Sequence, residues 1–367
     1  MKVSIITVSY NAAKTIEQTI LSIKAQSYTN IEYIIIDGQS TDGTLDIIEK
    51  YKKDIDCIVS EPDKGIYDAM NKGIQYATGD IIGFVNSDDW YEPDTIEKVV
   101  VCFNNTDAEI THGLVWDIDG DGNKKKTNGF ENEEVEYEQL HYNMLPHLSV
   151  FAKRTVFEQY GGFNINYRIA ADYDWILRCY TGGIRFQYIN GVMGSFRRGG
   201  VSTNIINLNE LAEENKEISL KYVHHCKNRE MILHQIEKKY KASMFIFWEK
   251  TNPVRIADSL KEVLLDIVKG VVIFGTGIWG ERMYKILNSG NIPIYSFVDN
   301  NEKKWGSELH DIIIQSPESL RDYSGYVIIA VRNYADEICA QLTQMENAGM
   351  QWFDLTEIEA TCFLRYL

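Results

Sequence analysis

Residues 3–11 read VSIITVSYN, an apolar run that ends in the polar side chains of Ser9, Tyr10 and Asn11. The same succession of predicted strand and polar turn occurs three more times before residue 90. The strands cover residues 31–36, 55–60 and 81–85, and the turns that follow them include Asp37-Gly38, Glu61-Pro62-Asp63-Lys64 and Asn86-Ser87-Asp88-Asp89. Between the strands, apolar residues recur at helical spacing. This alternation predicts an α/β fold with a mostly parallel sheet.

The four polar turns indicate a binding site, because ligands of parallel sheets bind outside the carboxyl ends of the strands. Asp88 and Asp89 are adjacent carboxylates, which repel each other unless a cation or hydrogen-bond donors compensate. Mg²⁺ and Mn²⁺ take oxygen ligands from one or two carboxylates and from substrate phosphates. The sequence therefore predicts a metal site. The alternative is that an Asp caps the helix that Pro93 opens.

The composition is that of a globular protein and excludes several classes. Of 367 residues, 44% are hydrophobic and 25% charged, which excludes disorder and fibrous repeats. The formal net charge of −16 is unlike that of a non-specific nucleic-acid binder. No apolar run approaches the ~20 residues that span a bilayer, and no signal-peptide pattern is present. The six cysteines form no Cys-x-x-Cys pair, so we expect reduced thiols in a cytoplasmic protein.

Changes in pattern divide the chain into three predicted segments. Residues 1–204 form the first α/β domain, in which the strand–helix alternation breaks down after about residue 110. Residues 205–268 are rich in charge and poor in turn residues, which predicts a helical connector. Residues 269–367 begin a new strand–helix pattern and form a small Rossmann-like domain.

A glycine-rich loop opens the third segment. Gly275, Gly277 and Gly280 follow a strand and begin a helix in a G-x-G-x-x-G pattern, and Asp299 ends the next strand. This context agrees with a nucleotide site at a helix N-terminus. The alternative is that the glycines serve only the tight turn and the close packing of the helix on the strand.

Motifs within residues 1–200 resemble those of the family 2 glycosyltransferases, which have the GT-A fold of nucleotide-diphospho-sugar transferases. They are Ile6 to Asn11, Asp37 to Thr44, Ser60 to Ile74 with Ala77 to Asp80, and Asn86 to Asp88 in the place of the Asp-x-Asp motif. The stretch from Ser60 is the most specific and resembles the branch that builds bacterial surface polysaccharides. The resemblance implies transfer of a sugar from a nucleotide-diphosphate sugar.

The resemblance also implies where the donor binds. Its contacts would be Val8, Ser9, Tyr10, Asn11, Asp37, Gly38, Glu61, Lys64, Asp68, Asn86, Ser87, Arg197 and Arg198, and Asp88 would hold Mn²⁺ or Mg²⁺ with the diphosphate. Two positions depart from the family. Gly38 stands where a second Asp commonly contacts uracil, and Asn86 replaces the first Asp of Asp-x-Asp. A UDP-sugar is the preferred donor, although Gly38 leaves the nucleobase open.

The resemblance implies a catalytic base at Asp172. The family has Glu-Asp here, and its Asp removes the proton of the acceptor hydroxyl; Ala171 replaces the Glu in this chain. The implied reaction is a direct displacement that inverts the anomeric carbon. Alternatively, Asp172 only caps a helix, and for Asp174 this role is preferred over a sugar contact. His147 matches a position near the donor sugar in relatives, with a structural role as the alternative.

The expected partners are the sugar donor and a glycan or lipid-linked acceptor, without nucleic acid. Aromatic and basic residues at 244–250 and 263–265 would suit either a peripheral contact with the inner face of the membrane or packing between domains. A homo-oligomer is left open. Two rival functions compete with the transferase: an NAD-dependent oxidoreductase or epimerase centred on the Gly275 loop, and a non-catalytic sugar-nucleotide sensor.

Overall fold

The protein forms two compact units, Met1–Glu237 and Lys238–Leu367. The computed structural model describes residues 1–127, 137–264, 270–331 and 334–358, except 346, 348 and 356. The division at Glu237 falls inside the predicted connector, and the predicted boundary at residues 268 and 269 lies outside the described residues. The five cysteines of the described part are free thiols, as predicted. Cys362 lies outside it.

The first unit is built on a sheet flanked by helices. Its described strands are β1 (Val3–Ser9), β2 (Ile31–Asp37), β3 (Cys57–Ser60), β4 (Ile81–Phe84), β5 (Trp90–Tyr91), β6 (Ile110–Ile118), β7 (Lys124–Lys126), β8 (Phe151–Lys153) and β9 (Phe186–Arg197). Its described helices are α1 (Ile16–Lys24), α2 (Thr44–Lys50), α3 (Ile66–Tyr76), α4 (Thr95–Asn105), α5 (Arg154–Tyr160), α6 (Ala171–Thr181), α7 (Leu208–Tyr222) and the first part of α8 (Arg229–Thr251).

The strands lie in the order β3-β2-β1-β4-β8-β6-β9-β5, with β7 paired to β6. The first four of these run parallel, and their register sets Ser9 opposite Asp37 and Asp37 opposite Ser60. β8 is antiparallel to both β4 and β6. The mostly parallel sheet predicted from residues 3–89 is confirmed, and its parallel register collects the polar ends of those strands at one edge.

The central strands are buried on both faces, which explains why they read as continuous apolar runs. Successive side chains of a strand point to opposite faces. Ile5 and Ile35 belong to the core under one face of the sheet, whereas Ile6 and Ile34 belong to the core under the other. All four side chains are fully buried.

The second unit contains a smaller sheet of the Rossmann-like kind that the sequence predicts. Its strands are β10 (Val271–Phe274), β11 (Ile294–Val298), β12 (Glu308–Leu309), β13 (Ile312–Gln315), β14 (Gly325–Ile329) and β15 (Met350–Asp354), in the order β12-β13-β11-β10-β14-β15. All pairs are parallel except β12 with β13. Its helices include α9 (Pro253–Val263), α10 (Ile278–Ser289) and α11 (Ala335–Gln344).

The residues predicted to offer a membrane contact are buried instead. Met244, Phe245 and Trp248 are each at most 5% exposed, and Leu264 is 1% exposed; Leu265 lies outside the described residues. Both segments therefore place side chains in the protein interior. Among the helices that the structure describes, none has the length and apolarity that a membrane crossing requires.

Candidate active site

Asp37 joins the ends of the first three strands. Its carboxylate is fully buried. Oδ1 accepts hydrogen bonds from the hydroxyls of Ser9 (3.0 Å) and Ser40 (2.5 Å). Oδ2 accepts from the Ser40 backbone N–H (2.8 Å) and the Ser60 hydroxyl (2.9 Å). The predicted nucleotide residues Ser9 and Asp37 are thus brought together, but the carboxylate acts here by holding the turns in place.

Gly38 lies between an aromatic ring and a carboxylate. A Cβ at this position would lie 2.5 Å from Asp63 Oδ2 and 3.4 Å from a ring carbon of Tyr10. The Tyr10 ring is 67% exposed and therefore free to stack on a ligand. Asp63 was missed by sequence reasoning. Two features of the sequence could have pointed to Asp63. Gly38 lacks the carboxylate that the family commonly has at that position, and Asp63 is a carboxylate within the most specific motif.

Val8 and Asn11 flank these residues. Val8 is 6% exposed and belongs to the core, so its side chain is not available to a ligand. Asn11 adopts a left-handed conformation (φ 51°). Its backbone N–H donates to the Ser40 hydroxyl (2.8 Å), and its side-chain oxygen accepts from the Thr41 N–H (2.9 Å). Asn11 therefore shapes the turn.

The charged residues after β3 are paired within the protein. Lys72 Nζ lies 2.8 Å from Glu61, 3.7 Å from Asp68 and 2.7 Å from the carbonyl oxygen of Pro62. Asp68 also accepts the Lys64 backbone N–H (3.0 Å). These contacts stabilise the turn, and the predicted donor contacts of Glu61 and Asp68 stay predictions. The Lys64 side chain is exposed.

The turn after β4 carries two carboxylates that are costly to ionise. Burial raises the pKa of Asp88, and burial together with the Asp88 charge raises the pKa of Asp89 well above its usual range. Asp89 is 1% exposed and accepts the Arg197 N–H (2.9 Å). Asn86 Oδ1 is buried without a hydrogen-bond partner among the described residues. Ser87 is partly exposed beside them.

The oxygen atoms of the turn after β4 fit a divalent cation that binds together with a phosphate ligand. The described residues contain no group of three or more His, Cys, Asp or Glu side chains placed to hold a metal by themselves. Asp88 is partly exposed and offers hard oxygen ligands, which Mg²⁺ and Mn²⁺ prefer. A cation would also lower the cost of two adjacent charged carboxylates.

The segment after β9 crosses over Asp88. Arg197 Nε donates to the Asp88 carbonyl oxygen (3.3 Å), its terminal nitrogen donates to Gln18 (2.7 Å), and its guanidinium stacks on Trp90 (5.2 Å). A Cβ on Gly200 would lie 3.1 Å from Asp88 Oδ2. The predicted phosphate donor Arg197 is therefore held at the turn that carries Asp88.

Arg198 faces elsewhere. Its guanidinium forms a two-point ion pair with Asp117, with contacts of 2.7 and 2.5 Å. The pair ties the end of β9 to β6, and the diphosphate contact of Arg198 stays a prediction.

The predicted base, Asp172, lies at the head of α6. Its side chain is 7% exposed, and Oδ1 is 2.7 Å from the hydroxyl of Tyr67 in α3. Asp172 lines a small cavity together with His147 and Phe84, the last residue of β4. Asp172 therefore lies near the end of β4, two residues before Asn86. Tyr67 was missed by sequence reasoning, although it lies within the most specific motif.

His147 also faces this cavity. Its ring stacks on Phe84 at 5.6 Å. Burial lowers the pKa of the imidazole, against the opposing effect of the Asp172 charge. A neutral imidazole beside Asp172 agrees with the predicted position near the donor sugar, and its aromatic contacts agree equally with a structural role.

Asp174 does not cap the helix as predicted; its carboxylate is bonded to other side chains instead. It is 1% exposed. Oδ1 accepts from Lys221 (2.8 Å) and the Tyr222 hydroxyl (3.0 Å), and Oδ2 accepts from Arg178 (3.3 Å). These contacts fasten α6 to α7 and occupy both carboxylate oxygens of Asp174, which leaves the sugar contact untested.

In the second unit the polar side chains around the glycine-rich loop are hydrogen-bonded to one another. Asp299 Oδ2 accepts the Thr276 N–H (3.1 Å) and the Thr276 hydroxyl, and it pairs with Lys304 Nζ (3.0 Å). The Asp299 carboxylate, which was predicted to bind a nucleotide, is therefore bonded to Thr276 and Lys304.

Packing explains two of the three glycines. Gly275 has φ 108°, and a Cβ on Gly280 would lie 2.1 Å from the Gly275 carbonyl oxygen. Only a residue without a side chain allows this approach of helix to strand. A Cβ on Gly277 would meet nothing within 4 Å. The packing alternative is favoured over a cofactor site.

Comparison with known sequences agrees with this site. Residues 4–161 match the family model "Glycosyl transferase family 2", and residues 267–350 match "C2185-like, N-terminal". The chain is 31% identical over 210 residues to a protein of Mycobacterium bovis named "PGL/p-HBAD biosynthesis glycosyltransferase", covering 55% of this chain and 80% of that protein. It is 42% identical over 99 residues to "Putative teichuronic acid biosynthesis glycosyltransferase TuaG" of Bacillus subtilis, covering 26% and 39%.

Comparison with solved structures supports the fold. The "Crystal structure of S. aureus TarS 1-349 in complex with UDP-GlcNAc" superposes with a TM-score of 0.54 at 16% identity, over 79% of this chain and 89% of that chain. At this identity the likeness concerns the GT-A architecture. Together with the sequence matches, it leaves one conclusion. The chain belongs to glycosyltransferase family 2, and it is an enzyme that transfers a sugar from a nucleotide sugar.

Proposed function

We propose that the protein is a metal-dependent, inverting glycosyltransferase that moves a sugar from a nucleotide-diphosphate sugar to an acceptor hydroxyl. The observation that carries the proposal is the meeting of two groups at one sheet edge. Phe84 ends β4 beside Asp172, and the chain continues from it into the turn with Asn86 and Asp88. A proton acceptor and a phosphate-and-metal site are thus neighbours, as direct displacement requires.

The donor diphosphate is proposed to bind over the turn after β4. Asp88 would hold Mn²⁺ or Mg²⁺, which supplies positive charge against the leaving diphosphate. Arg197 adds a guanidinium on the same side, held there by its contacts with Gln18 and the Asp88 carbonyl. The partnerless oxygen of Asn86 is free to accept a hydrogen bond from a donor hydroxyl.

The nucleobase is proposed to stack on Tyr10 and to meet the Asp63 carboxylate beside Gly38. A carboxylate accepts hydrogen bonds only, so it suits a base that presents an N–H. Uracil and guanine both do so, and a UDP-sugar is the preferred donor. The related structure with bound UDP-GlcNAc supports this choice.

The acceptor hydroxyl is proposed to lose its proton to Asp172 as its oxygen attacks the anomeric carbon. The diphosphate leaves from the opposite face, and the configuration inverts. His147 lines the same cavity as Asp172, where a neutral ring can orient a sugar hydroxyl. Asp174 takes no part, because its oxygens are bonded within the protein.

We propose a glycan or lipid-linked acceptor in the synthesis of a bacterial surface polysaccharide. The name of the similar Bacillus subtilis protein, teichuronic acid biosynthesis, supports this class. The proposed setting is the cytoplasm, at its membrane face if the acceptor is lipid-linked. We keep residues 1–204 as the proposed catalytic domain, 205–268 as the connector and 269–367 as the accessory domain.

Thermal unfolding with a ligand panel tests the donor site. UDP, GDP, TDP, CDP and their common sugars are added with and without Mn²⁺, and NAD(H) is added separately. A ligand at a hundred times its Kd stabilises the folded state by about 2.7 kcal/mol. We expect a Mn²⁺-dependent rise in Tm with one diphosphate. A response to NAD(H) alone would favour the oxidoreductase.

Substitution of the base tests turnover. Asp172→Asn keeps the shape of the side chain but cannot take a proton, so release of the nucleoside diphosphate should fall by ~10²-fold or more while the ligand still raises Tm. Binding without turnover in the unaltered protein, with every acceptor class supplied, would favour the non-catalytic sensor.

A further inference from the structure

The hydroxyl of Tyr67 lies between two acceptors at the head of α6. It is 2.7 Å from Asp172 Oδ1 and 2.6 Å from the carbonyl oxygen of Ile169. Tyr67 and Asp172 are each 7% exposed. Because a phenol has one hydrogen, it donates fully to one acceptor at a time. The side chain therefore has two hydrogen-bonding arrangements, which differ only by rotation of the O–H bond.

The protonation state of Asp172 selects between these arrangements. When Asp172 is charged, both carboxylate oxygens are acceptors, so the phenol must point its hydrogen at Asp172. When Asp172 holds a proton, its own O–H can donate to the phenol oxygen, and the phenol then donates to Ile169. Both states are fully hydrogen-bonded, and no heavy atom has to move.

The second acceptor is held in place by α7. Glu214 accepts the backbone N–H groups of Arg168 (2.7 Å), Ile169 (2.9 Å) and Ala170 (2.8 Å). These are the residues immediately before the helix that carries Asp172. Glu214 thus fixes the peptide whose carbonyl faces Tyr67, and its negative charge complements the helix N-terminus.

We propose that Tyr67 is the positioning residue of the catalytic base: it donates to Asp172 before proton transfer and accepts from Asp172 after it. The inference rests on the proposed role of Asp172. The proton moves from the acceptor hydroxyl to Oδ1 of Asp172. The new O–H on Oδ1 then turns to the phenol oxygen, and Tyr67 keeps its own proton and turns it to the Ile169 carbonyl oxygen. The other titratable groups facing this pair are His147, from the turn before β8, and Glu214, from α7.

Tyr67→Phe removes the donor and leaves the ring. A hydrogen bond to a charged carboxylate favours its charged form, so the charged form of Asp172 loses a stabilising partner in the variant. The rate of UDP-sugar hydrolysis is measured against pH as UDP release from UDP-glucose and UDP-N-acetylglucosamine. We expect the acid limb of this pH profile to move up by about 1 pH unit. The rate below the limb should fall about tenfold and recover at high pH.

Tyr173→Phe is the matched control. Tyr173 is a buried tyrosine of the same helix, and its hydroxyl bonds to the carbonyl oxygen of Leu140 (2.7 Å) and to Ser219 (2.9 Å). Its removal takes away one buried hydroxyl that does not touch Asp172. The control should lower Tm without moving the acid limb.

A ligand-free measurement uses Tyr67→Phe, Asp172→Asn and the double variant. The loss of Tm caused by Tyr67→Phe should be about 2 °C or more larger above the acid limb of the unaltered protein than below it, because the lost bond is charge-assisted only when Asp172 is ionised. In the Asp172→Asn background the loss should not vary with pH. A pH-independent loss in both backgrounds, or an unmoved acid limb, would overturn the role of Tyr67.

The two proposals can fail separately. Sustained UDP release by Asp172→Asn would overturn the base, and with it the role of Tyr67 in catalysis, even if the stability coupling is present. Loss of release in Asp172→Asn without any coupling to Tyr67 would overturn the positioning role alone.

Discussion

Replacing Glu32 by Gln should weaken the first unit strongly at neutral pH and little in acid. The carboxylate joins the starts of β1 and β2 to the turn before β4. Oε1 accepts from Lys2 Nζ and the Thr78 hydroxyl (2.6 Å each), and Oε2 accepts from the Ser4 hydroxyl (2.5 Å) and the Thr78 N–H (2.8 Å). An amide can accept at only one of its two ends, so half of these bonds would be lost.

The magnitude follows from the pKa of Glu32. Burial raises it, but the donors from Lys2, Ser4 and Thr78 outweigh burial and hold the pKa at about 2, against an ordinary 4.5. At about 1.4 kcal/mol per unit this corresponds to at most about 3 kcal/mol. Because Lys2 is 40% exposed and partly screened, we expect a contribution of about 2 kcal/mol.

The sign of the pH dependence is set by the lowered pKa. The unfolded chain binds a proton near pH 4.5, and the folded protein resists it until about pH 2. The stabilisation is therefore complete above about pH 4.5 and is lost as the pH falls towards 2. Unfolding of the first unit, followed by urea titration at pH 7 and at pH 3, should show Glu32→Gln and the unaltered protein converging in acid.

Glu49→Gln is the control. Glu49 pairs with Lys52 on the surface, where both side chains are about two thirds exposed, and such pairs contribute at most about 0.5 kcal/mol. Equal destabilisation by the two substitutions, or a Glu32→Gln effect that does not shrink between pH 7 and pH 3, would refute the reasoning.

Three further predictions concern the ligand sites. Asp88→Asn should abolish the Mn²⁺-dependent part of the rise in Tm with UDP, and an unchanged Mn²⁺ response would move the metal elsewhere. Gly38→Ala places a Cβ 2.5 Å from Asp63 Oδ2, so UDP affinity should fall about tenfold with little loss of stability, as titration calorimetry would measure; unaltered affinity would exclude Asp63 from the base site. Gly280→Ala places a Cβ 2.1 Å from the Gly275 oxygen and should cost the second unit about 1–3 kcal/mol in thermal unfolding while UDP binding persists.

The sequence predicted the architecture well because the signals for it are local. The runs at residues 3–8 and 31–36 carry apolar side chains on both faces of the strand, as a strand buried on both faces requires. Each run ends in polar residues, and parallel pairing alone brings such ends to one edge. The turn with Asp88 and the head of α6 were predicted as parts of the site in the same way, from residues adjacent in the chain.

The roles of individual side chains were less predictable. Asp37, Arg198 and Asp174 each belong to a motif, yet their charged groups are bonded within the protein. A motif shows that a charged residue is near the site, but its partner comes from another element. Arg198 meets Asp117, which is 81 positions away in the chain.

The sequence by itself therefore determined the fold class, the edge of the sheet that binds ligands and the membership of the family. Only the tertiary structure decided which of the polar side chains are free to act there. The pairing of Tyr67 with Asp172 joins residues 105 positions apart, and the approach of Asp63 to Gly38 depends on the packing of β2 against β3. The physical reason is that strand formation and burial follow from local pattern, whereas a hydrogen bond requires two particular atoms to meet within about 3 Å.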